Sequence, residues 1–130
     1  MKKILSLLFL SVILVSCSND DNDQQPAIEN TIIGRWHLVG FEQTVMYEFT
    51  ATEKHTIYST NGTFGDITTA IPNPNPWVYE GENLVIDLFF GNSSVSVPNF
   101  KCNGNVVDLV SESGTTTLFR EGYNINNCNE

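Results

Sequence analysis

Apolar and polar residues alternate with a period of two through much of the stretch from Thr31 to Tyr123, the spacing of strands with one buried face. Val45, Tyr47 and Phe49 share one side of a run whose other side carries Met46, Glu48 and Thr50. Before it, Arg35 to Glu42 alternates through Trp36, Leu38, Val39 and Phe41; after it, Glu53 to Thr60 is rich in the β-branched and aromatic residues that suit strands. Asn61-Gly62 supplies a tight hairpin, and Thr63 to Thr69 reads as a fourth, weaker strand. Ile71-Pro72-Asn73-Pro74-Asn75-Pro76 cannot be a central strand, because each proline removes a backbone donor; an extended loop over one rim is expected. Pairing resumes at Trp77-Val78-Tyr79-Glu80, turns at Gly81-Glu82-Asn83 and continues through Leu84 to Phe90, the most apolar strand. Gly91-Asn92 leads into Ser93 to Cys102, where Pro98 predicts a bulge or an exposed edge. Asn103-Gly104 is a second hairpin signal, and Asn105 to Ser111 and Thr115 to Glu121 finish the sheet around Ser113-Gly114. The sum is an all-β domain: a small antiparallel up-and-down barrel of about eight strands, closed because a small open sheet exposes unpaired edges.

The residues before this domain read differently. Met1 to Ser16 has two lysines, an apolar run from Ile4 to Val15 and then small residues, the layout of a bacterial export signal and too short for a spanning helix. Leu14-Val15-Ser16-Cys17 matches the lipobox of bacterial lipoproteins. That resemblance implies cleavage before Cys17, a diacylglyceryl thioether on it, and anchoring to a membrane; ordinary secretory cleavage with a free thiol is the alternative. Residues 17–30 then form an acidic tether with too little apolar surface to fold. Acids directly after the lipidated cysteine also resemble the surface-export signal of Bacteroidota lipoproteins, which implies an outer-membrane protein displayed at the cell surface. A plain solvated linker, with the anchor in the periplasmic leaflet, stays open. The folded domain is expected over residues 31–123, with a polar tail over 124–130.

Gly34-Arg35-Trp36 heads the first strand, a short aromatic strand is followed by a turn and a Leu-Val-Ile strand, and Arg120 lies near the end. Together these resemble the lipocalin pattern, and in particular the compact lipocalin-like domains of bacterial lipoproteins. The resemblance implies that Trp36 plugs one end of the barrel with Arg120 laid across it, a stacking worth about 0.5–2 kcal/mol. It also implies a cup that admits a small hydrophobic molecule at the open end, lined here by Tyr47, Phe49, Tyr58, Phe64, Trp77, Tyr79, Phe89 and Phe90. The rival is a barrel filled by those same aromatics, an interaction module that meets a protein or a glycan through its loops, above all Ile71 to Pro76 with Trp77. An apolar cavity of about 300 Å³ or more favours the first. A filled interior with an exposed aromatic at the proline loop favours the second.

Charge and cysteines narrow the partners. The formal charge of −9 becomes more negative if Lys2 and Lys3 are removed, which argues against nucleic acid and against a polybasic membrane patch. Cys102 and Cys128 remain as an even pair in an exported chain. A bridge between them would close a loop of about 25 residues and add about 3 kcal/mol; two free thiols are the alternative. No catalytic constellation stands out. His37 and His55 fall on different strands without a third metal ligand, the acid pairs Glu80 with Glu82 and Glu48 with Glu53 sit at turns, and no phosphate-cradling loop or nucleophile elbow occurs. A monomer without enzyme activity, metal or cofactor is the expectation.

Overall fold

The computed structural model describes residues 30–130. The export signal, Cys17 and the acidic tether lie outside the described residues, Asn30 excepted. Eight strands run in chain order: β1 (Gly34–Leu38), β2 (Val45–Phe49), β3 (Glu53–Tyr58), β4 (Asn75–Glu80), β5 (Asn83–Phe89), β6 (Asn92–Lys101), β7 (Val106–Ser111) and β8 (Gly114–Arg120). Each pairs antiparallel with the next and β8 returns to β1, so the sheet closes into an up-and-down barrel. The joints are unequal. β3 and β4 share only Glu53↔Pro76 and Lys54↔Asn75, whereas β7 and β8 are paired from Val106↔Phe119 to Ser111↔Gly114.

Cross-strand partners share a face, which separates the two sides of the wall. Inside, Ile32, Trp36, Phe49, Trp77, Leu84, Ile86, Val107 and Leu118 form the buried core. Outside, the row Val106, Phe119, His37, Met46, Ile57 crosses five strands by direct pairing. Four of these five are apolar and buried, a second small core on the outer wall. Its cover comes from the segment between β3 and β4: Phe64 sits edge-on to His37 at 5.6 Å, Gly65 O accepts from Arg35 Nη2 at 2.8 Å, and Ile71 N donates to Thr56 O.

That segment corrects two expectations. Thr63 to Thr69 is no strand; Asp66 caps a single 3-10 turn at Ile67–Thr69. Asn61-Gly62 is therefore no hairpin, and Gly62, at φ +79, starts the long crossing instead. The proline stretch is a loop up to Pro74, after which β4 begins at Asn75. Pro98 pairs with Leu109 without a bulge; it is tolerated because β6 pairs with β5 only as far as Ser96, leaving Pro98 an open side. The register shift falls instead between Asp87 and Phe89, where Phe89 and Phe90 take positive φ values of 67° and 56°.

One end of the barrel is sealed. Arg120 Cζ lies 4.3 Å from the centre of the Trp36 ring, as the resemblance implied, and the guanidinium donates to Gly104 O at 2.9 Å, Ile33 O at 3.1 Å and Thr31 O at 2.8 Å. Trp36 Nε1 donates to Ile32 O at 2.7 Å. Gly34 is required between them: at φ +127 a Cβ would stand 2.7 Å from Arg120 Nη1. The tail is pinned nearby by a disulfide between Cys102 and Cys128.

Candidate functional site

A cavity of about 150 Å³ opens inside the barrel, lined by side chains from six strands. Its apolar side is made by Tyr47 and Phe49 of β2, Ile86 of β5, Leu109 of β7 and Leu118 of β8; Phe49, Ile86 and Leu118 are also core residues, so the cup rests on the core. Its polar side carries Lys54 of β3, Ser94 and Ser96 of β6, Ser111 of β7 and Thr116 of β8. Register explains the set. Phe49 pairs with Lys54, Ile86 with Ser94 and Leu109 with Thr116, so three of the apolar wall residues bring a polar neighbour onto the same inward face, while Leu118 pairs with Val107 and Leu38 of the apolar side.

Lys54 is the unusual member. Its ammonium stands 4.3 Å from the centre of the Tyr47 ring. Burial holds it below the usual lysine range, since a charged group removed from water disfavours its proton. Arg35 has Glu48 and Glu121 beside it, His55 contacts Glu53, and Lys101 pairs with Asp108. Arg120 is satisfied by three carbonyls. Among the described residues Lys54 has no such partner, and no carboxylate lines the cup. Ser111 is partly committed, through Gly114 O at 2.9 Å and Ser113 Oγ at 3.0 Å.

Of the eight aromatics expected around a cup, Tyr47 and Phe49 line it. Trp77 is buried in the core instead, edge-on to Phe49 at 6.2 Å and to Tyr79 at 5.6 Å, with Nε1 donating to Thr50 O. Tyr79 pairs with core Leu84 but lines a separate open groove, with Glu82, Val97, Pro98 and Phe100, away from the cup. Tyr58 is exposed beside a surface hollow, Phe64 covers the outer wall, and Phe89 sits at the register shift. Phe90 is 99% exposed at the turn. At about 150 Å³ the cavity falls short of the roughly 300 Å³ that favours a carrier and is more polar than the resemblance implied, and the proline loop does not present Trp77, so neither rival meets its criterion in full.

Lys54, Ser94, Ser96, Ser111 and Thr116 were not singled out from the sequence. The signal was present as alternation: Lys54 and Thr56 share one face of β3, His55 and Ile57 the other. Apolar Ile57 draws the eye as the inward residue, yet it faces the outer wall under the crossing segment. His37 stacks on Phe119 at 5.0 Å with Nδ1 3.1 Å from Glu42 O, and His55 lies against Glu53.

No family model, no curated protein and no solved structure matches the chain.

Proposed function

We propose that the chain is a lipid-anchored envelope lipoprotein with a lipocalin-like barrel that binds a small molecule in its cup. The observation that carries the binding reading is the cavity between Phe49, Ile86, Leu109 and Leu118, open toward a polar rim. A compact apolar body of about benzene size matches a space of this volume. The lipocalin-like reading draws support from Gly34, Trp36 and Arg120, which meet at the sealed end of a closed eight-stranded barrel. Export draws support from the Cys102–Cys128 bridge, since disulfides persist in oxidising compartments. Anchoring rests on the lipobox at Cys17.

Native mass spectrometry of the protein purified from its own cells, followed by organic extraction, tests the reading. A small molecule lost on denaturation is the expected result; an apo mass that no extracted fraction restores overturns it. A second reading, a surface module for a protein or a glycan, is favoured by Phe90 at 99% exposure beside Leu88 at 45%. In that case the cup stays empty and the turn between β5 and β6 is protected in the complex.

A further inference from the structure

We propose that Lys54 is an anion-recognition residue, and that the molecule taken by the cup is a small organic acid: one carboxylate on a compact apolar body. The inference rests on the cup-binding reading and names its ligand class. A cation in a barrel interior is costly unless something of opposite charge or a π-face meets it. The protein supplies Tyr47 on one side and nothing acidic on the other. An ammonium carries three donors, and a ring face engages only one side of it.

The rest of the cup completes an acid's complement. Hydroxyls of Ser94, Ser96 and Thr116 line the same space as Lys54 and can donate to carboxylate oxygens, while Phe49, Ile86, Leu109 and Leu118 face the body. Bulk electrostatics oppose this pairing: a net charge of −9 repels anions. That repulsion is screened beyond about 8 Å at physiological ionic strength, whereas the contact at Lys54 is local and partly desolvated. The volume of about 150 Å³ sets the body near a single six-membered ring and leaves no room for a long acyl chain.

Titration calorimetry of the purified protein with benzoate and its uncharged isostere benzamide reads the inference directly. Benzoate is expected to bind at least about 10-fold more tightly, the factor for one charge-assisted contact. Lys54→Met is expected to bring the ratio of benzoate to benzamide affinity down to about one, and Lys54→Arg to keep it. Equal affinity of the two probes for the wild-type protein overturns the assignment and leaves the cup standing; no binding of either up to about 10 mM overturns the cup reading as well. A preference that survives in Lys54→Met places the anion elsewhere and also overturns it. Should Lys54→Met fail to fold, NMR of the wild-type lysine side chains decides: benzoate must raise the Lys54 pKa, and an unmoved titration overturns the assignment.

Discussion

Arg120 Cζ lies 4.3 Å above the Trp36 ring while its three donor positions hold Thr31, Ile33 and Gly104. One side chain therefore joins the last strand, the first strand, the segment before it and the β6–β7 turn. Arg120→Met is expected to cost about 2–4 kcal/mol, from stacking and charged hydrogen bonds together. Arg120→Lys should recover little, because an ammonium cannot span the same carbonyls. Urea unfolding followed by tryptophan fluorescence measures both; a loss under 0.5 kcal/mol, about the noise of such work, would remove the clasp from the stability account.

The bridge joins positions 26 apart in sequence. Replacing both Cys102 and Cys128 by Ser is expected to cost about 3 kcal/mol through a freer unfolded chain. Limited proteolysis should then reach the tail first. Intact mass under non-reducing conditions must come out two hydrogens lighter than after reduction.

Acid should weaken the wall between β6, β7 and β8. Burial pushes the Asp108 carboxyl up, but hydrogen bonds from Lys101 and Thr117 and the lysine charge outweigh it and hold the group below the usual aspartate range. Folding then stabilises the ionised form. That contribution is complete above about pH 4, the unfolded value, and is lost as pH falls through the lower folded value. Asp108→Asn should flatten this part of the stability curve below about pH 4; an unchanged acid limb sinks the assignment.

Phe90 combines 99% exposure with φ 56°, a backbone that bulky residues avoid. Asn tolerates this region, so Phe90→Asn is expected to be stabilising by about 0.5–1 kcal/mol, with no packing to lose. A lower unfolding midpoint would mean that the ring holds the turn.

Cys17→Ser tests the anchor. The variant is expected in the soluble fraction of cell extracts, and its persistence with membranes would defeat the lipobox reading.

The barrel was legible because period two marks runs such as Val45 to Thr50, β-branched and aromatic residues mark others, and strong turn signals separate them, as at Gly81 and Asn103-Gly104. The Trp36–Arg120 end was legible through resemblance. What alternation does not carry is which face points inward when both are covered: Met46 and Ile57 are as buried outside as Phe49 is inside. Thr63 to Thr69 misled for the same reason, its apolar residues serving a lid over the outer wall. The site was half legible, Tyr47 and Phe49 through their aromatic character, whereas Lys54 reads as a surface lysine until closure turns its side of β3 inward.

The two-pair joint between β3 and β4 gives the cylinder a weak generatrix. Pro76 offers no amide there, so Glu53↔Pro76 and Lys54↔Asn75 are a thin zip beside the lining of the cup. In hydrogen exchange this line should breathe before any other, since local openings start where ladder bonds are fewest. On the cup-binding proposal, that line is the route by which a guest would pass the Lys54 ammonium.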